Sequence, residues 1–318
     1  MLDVIALGEL LIDFAPQSQS DAGYPVLAAQ PGGAPGNFLA ALNQYGCSTA
    51  LIGKVGDDMF GRLLIGTLKD AGIATEHIVV DPGVFTTLAF VSLDASGNRD
   101  FSFARKPGAD TCLKPEEVDE SFLAQARVFH FGTLSLTDEP AASATRKAVE
   151  AAKKAGLLIS LDPNLRKPLW KTEADAKAAM EWSLHQADIV KISDEEIQFL
   201  WGLSPEEGAQ KLLKEYGVSL VYATLGPKGC HAATVHQTVT VSSPSGIHVV
   251  DTTGAGDIFG GSAMSCFLKT GKKPCELTKE ELEGIVRFAC TAASLSTQKH
   301  GGISSVPAEQ AVLDKMAE

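Results

Sequence analysis

The chain has 318 residues, 45% hydrophobic and 21% charged, which supplies one large α/β core with a small appendage and argues against disorder. A formal net charge of −12 leaves no electrostatic footprint for nucleic acid or an anionic membrane, so the expected partner is a small molecule held by local features. The six cysteines lack C-x-x-C spacing, no apolar run reaches the ~18 residues of a membrane span, and no basic leader precedes the first strand; a cytoplasmic protein with reduced thiols is expected, without a disulfide scaffold or zinc site.

A strand at Val4–Leu7 opens the chain, and Leu10–Ala29 follows as β-hairpin material with no helix in between. The segment Pro31-Gly32-Gly33-Ala34-Pro35-Gly36-Asn37 then reads as a loop leading into a helix with apolar positions at Phe38, Leu42 and Tyr45. Strand and helix patterns alternate from there: Thr49–Lys54 with Phe60–Ala71, Val128–Phe131 with Ala141–Ala155, and Leu158–Leu161 with Thr172–His185. This alternation predicts βαβ units and a mostly parallel sheet. Leu88–Phe103 interrupts it as a second hairpin, with its turn at Asp94-Ala95-Ser96-Gly97-Asn98. We assign residues 10–29 and 87–103 to a small β-lid inserted in a main α/β domain formed by 1–9, 30–86 and 104–318. Ser204-Pro205-Glu206-Glu207 and Thr278-Lys279-Glu280-Glu281 are capping boxes that start helices. A strand at Leu220–Ala223 precedes Thr224-Leu225-Gly226-Pro227-Lys228-Gly229, and Val249-Val250 reads as the end of a further strand.

Ligands of parallel sheets bind beyond the carboxyl ends of the strands, so functional residues are sought there. After Val249-Val250 comes Asp251-Thr252-Thr253-Gly254-Ala255-Gly256-Asp257, followed by an apolar helix at Ile258–Leu268. Phe259 stands where a dinucleotide fingerprint needs glycine, and the Gly-Lys-Ser/Thr of a Walker A loop is missing. The turn has two readings. It is a structural cap, or it is an anion site in which first-turn N–H groups meet a transferring phosphoryl group while Asp257 takes a proton from a substrate hydroxyl. Gly32 and Gly33 let backbone approach a ligand, Asn37 offers donor and acceptor, and Asp13 follows the first strand; these groups suit a polyol, with an ordinary loop and N-cap as the other reading.

Asp251–Asp257 and the Gly32-Gly33…Asn37 element resemble the two signatures of the ribokinase-like (PfkB) sugar kinases. The resemblance covers nearly the whole chain. Gly97–Phe103, Pro107-Gly108-Ala109-Asp110, Phe129-His130-Phe131-Gly132, Asp162-Pro163-Asn164-Leu165-Arg166 and Lys191-Ile192-Ser193-Asp194-Glu195-Glu196 are similar to the fructokinase branch. The resemblance implies a three-layer α/β/α domain with a mostly parallel central sheet and a β-sheet lid, and phosphotransfer from ATP, with Mg²⁺, to a sugar alcohol group. It implies Asp257 as catalytic base and the amides of Gly254, Ala255 and Gly256 as anion hole. Asp13, Gly32, Gly33, Asn37, Phe101, Phe103, Arg105 and Arg166 match substrate positions. Lys191, Glu196, Thr224, Gly226, Lys228 and Gly229, with Gly254 and Gly256, match the nucleotide region. Asp251, Thr253, Ser296, Lys299, Gly301 and Ser305 align with a potassium site built largely of backbone carbonyls. Alternatives within the family are a kinase of 2-keto-3-deoxygluconate, aminoimidazole riboside or ribose; outside it, a non-catalytic sugar sensor or scaffold. The lid's strand edges make a homodimer the expected assembly.

Overall fold

The structure is a computed structural model that describes residues 1–93 and 99–318, with the backbone alone at 92, 93 and 99–101. Thirteen strands are found among the described residues: β1 Leu2–Leu7, β2 Leu11–Gln19, β3 Pro25–Gly32, β4 Thr49–Gly56, β5 Ile78–Asp81, β6 Thr87–Leu93, β7 Arg99–Ala104, β8 Ala126–Gly132, β9 Leu158–Asp162, β10 Ile189–Ser193, β11 Leu220–Thr224, β12 Cys230–Thr234 and β13 Thr238–Val241. The helices are α1 Ala34–Gln44, α2 Met59–Asp70, α3 Glu120–Leu123, α4 Ala141–Lys154, α5 Glu173–Leu184, α6 Asp194–Trp201, α7 Pro205–Lys211, α8 Ala255–Thr270, α9 Lys279–Ser296 and α10 Glu309–Ala317.

Nine strands form one sheet in the order β13-β12-β11-β10-β9-β8-β1-β4-β5, parallel except for β12 and β13 at one edge. Side chains alternate between its faces, as the pleat requires. Val4, Ala6, Leu51 and Val128 pack under α1, α2, α8 and α9, whereas Ile5, Leu7, Ile52, Phe129 and Phe131 pack under α4 to α7. This is the three-layer α/β/α arrangement. From the central pair the chain winds outward both ways, β1 to β4 on one side and β8 through β9, β10 and β11 on the other. The crevice above β1 and β8 is therefore a topological switch point, where such sheets take ligands.

The remaining strands form a second sheet in the order β3-β2-β6-β7, built from two antiparallel hairpins joined through a parallel β2–β6 pair. Its strands run to Gly32 and to Ala104, so the first hairpin delivers the chain straight to α1. The expected turn at 94–98 lies outside the described residues.

Two local expectations are corrected. Val249-Val250 is not a strand: both residues are exposed, and the Val250 N–H donates to the Thr297 carbonyl at 2.7 Å. A β-branched pair favours extended backbone, but here the segment is tied to the 297 turn instead of to a sheet. Residues 34–37 are helix, not loop, because Pro35 in the first turn suits a helix start; Asn37 consequently lies in the first turn of α1. Both capping boxes form as expected, Ser204 with Glu207 and Thr278 with Glu281.

Candidate active site

A cleft of about 300 Å³ opens above the β1–β8 switch point, between the sheet and the lid. Of the residues singled out in the sequence, Asp13, Gly33, Asn37, Phe103, Arg166, Thr253, Gly254 and Asp257 line it. Asp13 and Phe103 reach it from β2 and β7 of the lid, Arg166 from the turn after β9, and Asn37 and Asp257 from the first turns of α1 and α8. Gly32 serves Asp13 indirectly, since a Cβ there would sit 2.4 Å from Asp13 Oδ2.

Asp257 is buried, and its Oδ2 accepts a hydrogen bond from Asn37 Nδ2 at 2.9 Å. Burial raises its carboxyl to about 6; the Asp162 charge adds to the rise, while Asn37, Lys191 and Arg166 oppose it. A carboxyl in that range is ionised at neutral pH yet basic enough to take a proton. Gly254 adopts a left-handed conformation (φ 73°) that starts α8. Among the described residues the amides of Gly254, Gly256 and Asp257 meet no protein acceptor, whereas the Ala255 N–H donates to the Thr252 carbonyl at 3.3 Å. The open amides are thus shifted from the expected Gly254, Ala255 and Gly256, because the αL turn folds Ala255 back on Thr252.

Beneath this turn lies a buried charge layer. Lys191 Nζ stands 3.0 Å from where a Cβ on Gly256 would be, and it donates to Asp162 Oδ2 at 2.9 Å. Burial disfavours the ammonium, but Asp162, Glu196 and Asp257 outweigh it and raise the Lys191 pKa. Glu196 is occupied structurally: Oε1 accepts from Leu165 N at 2.7 Å and Oε2 from Ser193 N at 2.8 Å, closing a capping box on α6. Thr224 ends β11, two strands from β9, and Gly226, Lys228 and Gly229 form the turn into β12, with Lys228 exposed.

Asp251 joins the 251–253 turn to the 296–305 loop, accepting from Thr253 N at 2.8 Å through Oδ1 and from Gly301 N at 3.1 Å through Oδ2. Ser296 and Ser305 are buried in that loop, and the Lys299 N–H donates to the Ser296 carbonyl. The six residues named for a monovalent cation thus lie on two adjoining loops.

Arg105 is not on the cleft; it is buried in an ion pair with Asp110. The Phe101 side chain lies outside the described residues. Sequence reasoning passed over Glu9, Leu134, Asn164 and Asp162, although each follows or ends a strand of the switch region, a signal that could have found them. Glu9 is buried at the end of β1, and its Oε1 accepts from Ala34 N at 2.9 Å. Burial pushes its carboxyl up to about 7, with Asp110 adding and Arg105 opposing.

Comparison with known proteins agrees with this geometry. Residues 1–309 match the pfkB family of carbohydrate kinases. The chain is 42% identical over 313 residues to fructokinase-2 of Solanum lycopersicum, covering 96% of this chain and 93% of that protein. It is similar in structure to the fructokinase of Xylella fastidiosa solved with bound ATP (TM-score 0.90, 29% identity, 100% of this chain and 99% of that one). The fructokinase of Vibrio cholerae O395, solved in a fructose-, ADP- and calcium-bound form, superposes with TM-score 0.88 at 31% identity over 99% of both chains.

Proposed function

The chain belongs to the pfkB family of carbohydrate kinases, and we propose that within it the protein is an ATP-dependent fructokinase, converting fructose and ATP to fructose 6-phosphate and ADP. The observation that carries this reading is the pairing of a buried, hydrogen-bonded Asp257 with three open amides at the start of α8, on a cleft of monosaccharide size. Asp257 accepts the proton of the reacting hydroxyl. The amides of Gly254, Gly256 and Asp257 meet the charge on the transferring group, and the Lys191 ammonium, paired with Asp162, stands beneath Gly256 as a further donor. Arg166 orients oxygens from the open side of the cleft.

Bound ATP would supply the phosphoryl group, and Mg²⁺ would offset the charge of its phosphates. The acceptor-free amides over a buried lysine fit the phosphates, and a side chain at Gly256 would fill that space. Thr224, Gly226, Lys228 and Gly229 would border the rest of the nucleotide. Both oxygens of Glu196 already accept backbone N–H groups, so it would hold Mg²⁺ through water, in keeping with that ion's reluctance to dehydrate. The oxygen-only donors on the Asp251 and 296–305 loops suit a hard cation such as K⁺, which would brace the α8 turn.

Among the described residues, the charged groups on the cleft are the three carboxyls Glu9, Asp13 and Asp257 against the single guanidinium of Arg166. That balance favours a neutral sugar over a sugar acid. A coupled assay over fructose, ribose, aminoimidazole riboside and 2-keto-3-deoxygluconate tests the reading: fructose has the highest kcat/KM, and another preferred sugar, or no turnover, refutes it. Replacing K⁺ with a bulky organic cation should lower kcat; an unchanged kcat counts against the loop site.

All six cysteines are free, and no helix among the described residues is long and apolar enough to cross a membrane. The lid sheet has open edges at β3 and β7 and exposes Tyr24, Val26 and Phe90, which supports a homodimer formed through the lids; light scattering tests it.

A further inference from the structure

Behind one wall of the cleft lies a cation that does not line it. Arg105 Nε donates to Asp110 Oδ2 at 2.8 Å, Nη2 lies 2.7 Å from the same oxygen, Nη1 donates to Thr137 Oγ1 at 2.8 Å, and Nη2 donates to the Leu134 carbonyl at 3.0 Å. Asp110 also accepts from the Thr87 hydroxyl through Oδ1. Every nitrogen of the guanidinium is engaged, and both charged groups are withdrawn from water, so freeing Arg105 for a ligand would strand Asp110 uncompensated. Leu134, whose carbonyl holds Arg105, lines the cleft; so does Glu9, whose carboxyl feels the charges of both Asp110 and Arg105.

The placement of Glu9 relative to the chemistry follows from α1. Glu9 holds the Ala34 N–H at the start of this helix, and Asp257 is held by Asn37, three residues further on. Three residues of helix advance about 4.5 Å, the scale of a sugar ring. Both carboxyls line the one cleft, so a sugar with its reacting hydroxyl on Asp257 shares that enclosure with Glu9. What waits there is a carboxyl with a neutralised arginine behind it.

We propose that Glu9 and Asp110 are the residues by which this cleft rejects sugar acids in favour of neutral ketoses: Asp110 consumes the charge of Arg105 inside the wall, and Glu9 presents a carboxyl to the end of the sugar remote from Asp257. A neutral sugar meets Glu9 with a hydroxyl, which hydrogen-bonds to either protonation state. A sugar acid meets it with like charge and finds no free cation on that wall among the described residues. The proposal rests on the fructokinase reading and adds the origin of its selectivity.

The test is the ratio of kcat/KM for fructose to that for 2-keto-3-deoxygluconate in the wild type, Glu9→Gln and Asp110→Asn. Glu9→Gln keeps an acceptor for the Ala34 N–H, so the wall is preserved while its charge is removed; thermal melting checks that it folds. The ratio is expected to fall at least tenfold in Glu9→Gln and further in Asp110→Asn, where Arg105 is released. Titration calorimetry with the acid and no nucleotide should show tighter binding in the same order. If Asp110→Asn does not fold, Glu9→Gln decides alone. A wild type active on fructose whose ratio does not move in folded Glu9→Gln overturns the proposal and leaves the fructokinase reading standing. A wild type inactive on fructose overturns both.

Discussion

Asn37 Nδ2 donates to Asp257 Oδ2 across 2.9 Å, joining the first turns of two helices from positions 220 residues apart in the chain. Helices α1 and α8 each bring a glycine-rich start to the cleft, and this bond fixes how the two starts face each other. It also favours the ionised form of Asp257, against the burial that opposes it. Asn37→Asp replaces the donor with a second carboxyl, and like charges at this distance share a proton. The acid limb of kcat/KM should move up by about one pH unit or more, as read from a full pH profile. An unmoved limb would mean that Asp257 is not the group that titrates.

Asp257→Asn should lower kcat by roughly 10²–10⁴, the range of a lost general base, while fructose and ATP still bind in calorimetry. Its melting temperature should stay level or rise. The sign follows from the direction of the shift: a carboxyl raised from 3.8 to about 6 by burial is destabilising to the fold when ionised, so its neutral replacement relieves the fold at pH 7 and above. Retained turnover would remove Asp257 from the chemistry.

In the wild type the same carboxyl predicts kcat/KM flat above pH 7 and falling on the acid side of about pH 6, since the base works only when ionised. Glu9, raised to about 7, titrates nearby and belongs to substrate binding, so the Glu9→Gln profile separates the two. The fall near pH 6 should survive that substitution.

The βαβ alternation and the two signature turns were legible because they are local: hydrophobic periodicity and glycine spacing show in a window of a dozen residues. Arg105 was misplaced for a nonlocal reason. Its partners Asp110, Leu134 and Thr137 come together only when the chain leaving the lid packs against the turn after β8, and no spacing announces that. Val249-Val250 failed by the opposite route, a strong local preference overridden by one tertiary contact with residue 297. Glu9 and Asp162 were readable from their places at strand ends, yet a single carboxyl beside a strand carries no pattern.

Gly302 lies close to the Asn37–Asp257 bond without lining the cleft. A Cβ there would come within 2.0 Å of Asn37 Oδ1, a buried acceptor with no hydrogen-bond partner of its own among the described residues. Gly302→Ala must therefore push Asn37 aside. We expect kcat to drop at least tenfold, about 1.4 kcal/mol, with a smaller change in ATP affinity. Equal kcat in the variant would show that Asn37 can shift without disturbing Asp257.

Lys191 tests whether the charge layer under α8 serves the fold or the reaction. Lys191→Met leaves Asp162 buried without its partner, and breaking a buried pair from one side costs about 3–5 kcal/mol, so the melting temperature should fall. Adding Asp162→Asn removes the stranded charge and should restore most of that stability. Affinity for ATP should not return with it, because the ammonium 3.0 Å from the Gly256 Cβ position is still missing beneath the open amides. The double variant therefore melts like the wild type while its KM for ATP is raised tenfold or more. Recovery of both together would make the lysine a structural counterion and leave phosphate recognition to the helix start alone.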